Sequence, residues 1–180
     1  MKSLCSLVFI ILLFTYLSAC ASDEDVTNEL IDYYNNKWIS IHTTKVQDLA
    51  IGKRKLNNIS ELDENYDQEA IEIHKTELIP VSEKVVKQYE SVQLKYREVK
   101  KLNKLQIKAE KHGVNLMNSI VDYYNRDIEE SEYLQKEYEL KSKYDDVTDY
   151  LEKLMDKYNL EYDMDKNNSD GVYKLKRKKD

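Results

Sequence analysis

This 180-residue sequence predicts an all-α fold, drawn out as an elongated antiparallel helical bundle or helical hairpin with coiled-coil-like Tyr/Val/Leu seams, on three observations. Gly and Pro number only three and one, so a sandwich or barrel that turns about every ten residues lacks the material for its corners. Apolar positions recur at steps of three and four over most of the chain, the spacing of one helix face. Many of those positions are Tyr, whose ring fills a narrow seam while its hydroxyl stays at the edge.

Leu30, Tyr34, Trp38 and Ile41 define the first stripe, widened by Ile31, and the helix is expected to reach about Leu56. Gly52 costs it roughly 1 kcal/mol relative to Ala, and Asn57-Asn58 reads as the turn. Ser60 and Asp63 form a capping-box pattern, which predicts a second helix along Leu62, Tyr66, Ala70 and Ile73. Pro80 removes a donor and disfavours helical geometry at Ile79, so a break or kink is expected there. Val85, Tyr89, Val92, Tyr96 and Val99 alternate steps of four and three, predicting a third helix that ends near His112-Gly113. A fourth helix is expected from Met117 to about Asn159, bent or split near Ser131, with Leu140, Tyr144, Val147, Leu151, Leu154 and Tyr158 as its seam. Residues 26–162 therefore read as one helical domain. Residues 163–180 carry no stripe and end in Lys174, Lys176, Arg177, Lys178 and Lys179, so a disordered tail with a basic end is expected.

The first nineteen residues are a different material. Lys2 supplies a positive start, Leu4 to Tyr16 an apolar run, and Ser18-Ala19 small residues, which is the grammar of a cleaved signal peptide. The run is interrupted by Ser6 and Thr15 and falls short of the roughly 20 apolar residues that spanning needs. Cleavage before Cys20 would leave that residue as the only cysteine, so no disulfide can form within the mature chain.

The net charge is -6, and losing Lys2 with the leader makes the chain one unit more acidic, which argues against a nucleic-acid binder. His42, His74 and His112 stand far apart, without the i, i+4 spacing of a helical metal site. Asp163, Asp165 and Asn167 fit the opening of a calcium loop, but Asn168 stands where Gly is required and Lys174 where a bidentate Glu is required. No Gly-rich phosphate cradle and no convergent catalytic set is legible, so no cofactor, no metal and no enzymatic activity is expected.

Leu17-Ser18-Ala19-Cys20 resembles the lipobox of bacterial lipoproteins at all four positions. That resemblance implies diacylglycerol on the Cys20 thiol, cleavage before it, and residues 20–25 as a lipid-anchored linker on the extracytoplasmic face of the cell membrane. With Glu29-Leu30-Ile31-Asp32-Tyr33-Tyr34 beyond it, the chain resembles the small helical lipoproteins of low-GC Gram-positive bacteria. Among these are the cell-wall-binding lipoproteins and a staphylococcal type named for a paired-tyrosine (EMYY) motif, although Asp32 rather than Met precedes the tyrosines here. The expected function is a non-enzymatic envelope interaction module, with a wall polymer or envelope protein as partner and the basic residues 174–179 touching an anionic surface. A phage- or plasmid-encoded exclusion or immunity lipoprotein is the alternative. The seams leave self-association as a homo-oligomer open.

Overall fold

The computed structural model describes residues 22–60, 62–167 and 171–179, and the leader, the lipobox and Cys20 lie outside them. Four helices form an all-α bundle. Helix α1 (residues 23–58) joins α-helix Asp23–Asp32, a π-helical segment Tyr33–Trp38 and α-helix Ile39–Asn58. Helix α2 (residues 66–91) has the same plan, with Tyr66–Ile73, a π-helical segment His74–Leu78 and Ile79–Ser91. Helices α3 (Arg97–Tyr124) and α4 (Glu130–Lys157) are uninterrupted, and β1 (Leu160–Asn167) pairs antiparallel with β2 (Tyr173–Arg177). Consecutive helices are antiparallel neighbours: Asp48 meets Lys84, Ser82 meets Met117, and Lys157 meets Glu98.

The extra residue of each π turn rotates the positions that follow it, and the first π segment opens on Tyr33 and Tyr34, both buried at 1% and 5% exposure. In α2 the wider turn absorbs Pro80. The N–H of Ile79 already reaches back to the His74 carbonyl, and the ring then sits at the start of the next α-helical stretch. The chain therefore does not break at Pro80. Gly52 of α1 faces this bulge, and a Cβ there would lie 2.5 Å from Cδ2 of Leu78, so a larger residue would force the Leu78 side chain to move.

The helix junctions differ from the sequence expectation in three places. The Ser60–Asp63 pattern forms a turn, in which the Ser60 hydroxyl accepts from the Leu62 N–H and the Asp63 carboxylate from the Asn65 N–H, and the helix starts only at Tyr66. The heptad from Val85 to Val99 is divided between α2 and α3 by an extended turn at 92–96. Its cap comes from far away: both carboxylate oxygens of Glu29 accept backbone N–H groups, Lys95 at 2.6 Å and Tyr96 at 2.8 Å. Helix α3 then runs straight through His112-Gly113, where Gly113 has nothing within 4 Å to excuse it, and ends at Tyr124. Arg126, at φ 63°, makes the α3–α4 turn, and Glu129 with Glu132 supplies a capping box for α4.

The described residues beyond Tyr162 are not the disordered stretch that the composition predicts. They supply the rest of β1 and all of β2, with Leu160 opposite Arg177 and Tyr162 opposite Leu175. Leu160 and Leu175 are 1% and 2% exposed and join the main core. Asn35, in the first π segment, holds β2 from outside the hairpin. Its amide donates to the Leu175 carbonyl at 2.9 Å and its oxygen accepts the Leu175 N–H at 2.7 Å. A two-stranded hairpin is marginal alone, and this one is stable because the bundle supplies its missing partner.

The core is concentrated at the end of the bundle where Ser22 lies. Val26, Leu30, Tyr33, Val99, Leu102, Leu151, Leu154 and Leu160 meet there. Toward the other end α4 leaves the core: its buried residues are confined to Val147, Leu151, Leu154 and Met155, while Leu134 and Tyr138 are exposed.

Candidate functional site

Two features carry charge in an organised way. The first is internal. Glu110 of α3 is 2% exposed, and its carboxylate accepts from Lys45 of α1 at 2.7 Å, from Gln106 at 2.8 Å and from the Tyr144 hydroxyl of α4 at 3.2 Å. The Trp38 indole N–H donates to Gln106 at 3.1 Å, so the chain of bonds spans α1, α3 and α4. One turn nearer Ser22, the Tyr33 hydroxyl donates to Asn103, whose amide donates to the Tyr89 carbonyl. Burial alone would pull the Lys45 ammonium down, but the facing Glu110 carboxylate and Tyr144 hydroxyl carry it above the ordinary lysine value. Burial pushes the Tyr33, Tyr89 and Tyr144 hydroxyls up, so all three stay protonated. This network satisfies a buried charge and fixes the register of three helices. Its carboxylate is 2% exposed and already accepts three donors, so it behaves as structure.

The second feature is on the surface. Lys95, Arg97, Lys100, Lys101 and Lys104 line a groove of about 470 Å³, and no acidic side chain among the described residues lines it with them. All five are exposed and none is ion-paired among the described residues. Lys95 lies over the Tyr96 ring at 4.9 Å and Lys101 over the Tyr150 ring at 4.4 Å, contacts that hold the ammonium groups in place without neutralising them. The pattern continues up the helix: Arg97, Lys101, Lys104, Lys108 and Lys111 step by four, three, four and three, which is one face of α3. Of the two acids within this stretch Glu110 is buried, and Glu98 is turned to Lys157 at 3.1 Å, a pairing that lowers its carboxyl pKa.

The basic residues expected in the tail are divided. Lys176 is taken by Asp163 at 3.0 Å and by Glu161 at 3.7 Å. Arg177 makes a bidentate pair with Glu24, both bonds 2.7 Å, and also donates to Asn28. Lys174, Lys178 and Lys179 are exposed. Among the described residues a basic end of five charges is thereby reduced to three, because Lys176 bridges the two strands and Arg177 clamps the hairpin to α1. Sequence reading looked for cations in the tail and missed the stripe on α3, although its spacing was visible.

The three histidines do not meet. His42 stacks on Trp38 at 4.9 Å, which itself stacks on Tyr34 at 5.0 Å. His74 is buried in α2 with Nδ1 2.8 Å from the Ala70 carbonyl, and burial lowers its pKa. His112 is half-buried within α3. Asp163, the first residue of the calcium-like run, holds Lys176, and no group of three or more His, Cys, Asp or Glu able to hold a metal ion occurs among the described residues. None of the described helices is long and apolar enough to cross a membrane. No protein-family model matches this chain, and neither a curated protein nor a solved structure does.

Proposed function

We propose that this chain is a non-enzymatic lipoprotein, anchored through Cys20 on the extracytoplasmic face of the cell membrane, that serves as an envelope interaction module for an anionic component. The carrying observation is the groove of Lys95, Arg97, Lys100, Lys101 and Lys104, five exposed cations unpaired among the described residues of an otherwise acidic chain. Keeping like charges together costs folding energy, and a polyanion repays it by binding. The Leu17–Cys20 sequence supports the anchor, and Ser22 already caps α1 two residues later, so the body would sit directly on it.

Two assays test the reading. Metabolic labelling with palmitate is expected to mark the full chain and not its Cys20→Ala variant; an unlabelled wild type rejects the anchor. Co-sedimentation of the chain from residue 20 with purified cell envelopes, before and after removal of their anionic components, is expected to show salt-sensitive pelleting that the removal abolishes. Pelleting that survives both treatments rejects the electrostatic module.

A further inference from the structure

The groove stands at the end of the bundle where the chain emerges. Glu29, two turns into α1, accepts the N–H groups of Lys95 and Tyr96, and the Lys95 pKa is raised, first by the Tyr96 hydroxyl and less by the carboxylates of Asp25 in the first turn and of Glu29. At 1.5 Å per residue, Lys95 lies roughly 10 Å along the bundle from Ser22. Cys20 is two residues further, so any surface holding Cys20 is presented to the groove at high effective concentration. The cationic face then runs along α3 through Lys108, as an extended line of charge and not a closed cup.

An extended line of exposed ammonium and guanidinium groups close to the anchor fits a plane of phosphate groups better than one small anion. We propose that the α3 stripe, led by Arg97, Lys100 and Lys104, docks the bundle onto anionic phospholipid headgroups of the membrane that carries it. This rests on the anchored reading above and names the anionic component. Exposed Asp23 and Asp25 oppose the docking near the tether, so the stripe, not the net charge, sets which side of the bundle faces the lipid. The Glu24 carboxylate is already neutralised by Arg177.

The test uses the unlipidated chain from residue 20, which contains every contact described here, so that binding does not depend on the anchor. Vesicles of phosphatidylcholine alone are compared with equimolar phosphatidylcholine and phosphatidylglycerol, by flotation at low and high salt. Binding is expected only on the anionic vesicles and is lost at high salt. The variant Arg97→Gln/Lys100→Gln/Lys104→Gln, which disturbs no ion pair among the described residues, is expected to lower the partition coefficient roughly a hundredfold, at about a factor of five per charge. A matched Lys174→Gln/Lys178→Gln/Lys179→Gln variant is expected to lose less, and circular dichroism checks that both are folded. Equal binding to neutral vesicles, or full binding by the α3 variant, overturns the proposal. Pelleting with stripped-sensitive envelopes but not with anionic vesicles overturns it too and leaves the envelope module standing with a wall polymer as its partner. Vesicle binding by a chain that cells never label with palmitate would reject the anchor alone.

Discussion

The two halves of the bundle are built to different standards. Near Ser22 four helices and a hairpin enclose Leu30, Tyr33, Val99, Leu102, Leu154 and Leu160, most of them under 3% exposed. Near the α1–α2 and α3–α4 turns, α1, α2 and α3 pack around Leu49, Ala70, Leu78 and Val121, while α4 lies along α3 with Tyr123 against Tyr133 and its outer face in water. The Lys45–Glu110–Tyr144 network sits where one regime gives way to the other. A chain this polar has too few apolar residues for a broad core along its whole length, and α4 confines its buried ones to one end. The more fully packed end is also the one that carries the cationic groove.

Removing core from the packed half gives the largest effect. Leu30 is fully buried among Val26, Val99 and Leu154, so Leu30→Ala is expected to cost roughly 3 kcal/mol and lower Tm by about 10 °C in a thermal melt. A loss below about 1 kcal/mol would mean that this half is no better packed than the other.

The boundary comes next. Glu110→Ala leaves the Lys45 ammonium facing Tyr144 without its carboxylate, and about 2 to 3 kcal/mol is expected to go, somewhat below the fully buried case because Lys45 retains 18% side-chain exposure. Lys45→Met/Glu110→Leu removes both charges and is expected to recover most of it. If the double variant is as unstable as Glu110→Ala, the network contributes more than charge compensation, through the Trp38–Gln106 link. The raised Lys45 pKa also fixes a sign. The pair's stabilisation is complete below the ordinary lysine value and is lost as pH rises through the higher folded value, so the gap between wild type and double variant should close at alkaline pH.

Within the packed half, Asn35→Ala removes both side-chain bonds to Leu175 while leaving the bundle intact. About 1 to 2 kcal/mol is expected, visible as faster amide exchange confined to β1 and β2. Uniform acceleration across α1 would instead show that the hairpin and the bundle unfold as one unit. In the other half, burial lowers the His74 pKa below 6.5, so its folded form favours the neutral ring. Stability is then complete above that ordinary value and declines as pH falls toward the folded one; His74→Leu should flatten the decline in denaturant melts between neutral and mildly acid pH.

How much of this was legible follows the same division of local and distant causes. The stripes of α1 and the seam of α4 through Leu151 and Leu154 are local periodicities, and they form as read. The π segments were not, because an extra residue in a turn leaves a hydrophobic pattern that averages to a helix. The α2–α3 turn contains neither Gly nor Pro, and its cap is Glu29, more than sixty residues earlier. The hairpin was hidden for the same reason: Asn35, Glu24 and the main core supply what residues 160–177 lack. The groove was readable from the spacing of Arg97, Lys101, Lys104 and Lys108, but the denser run at Lys174–Lys179 drew attention from it.

The smallest expected effect is also the cleanest check on the contrast. Leu134 is 44% exposed and Tyr138 is 76% exposed, one helical turn apart on the outer face of α4. If the far half spends no apolar surface on α4, truncating Leu134 forfeits almost no burial, and Leu134→Ala is expected to change unfolding free energy by less than about 0.5 kcal/mol. The slightly better helix propensity of Ala acts in the stabilising direction. The same substitution at Leu154, 3% exposed on the same helix, should cost several times more. Equal losses at the two positions would show that the face of Leu134 is covered in solution, and concentration dependence of the Leu134→Ala melt would then identify a second copy of the chain as the cover.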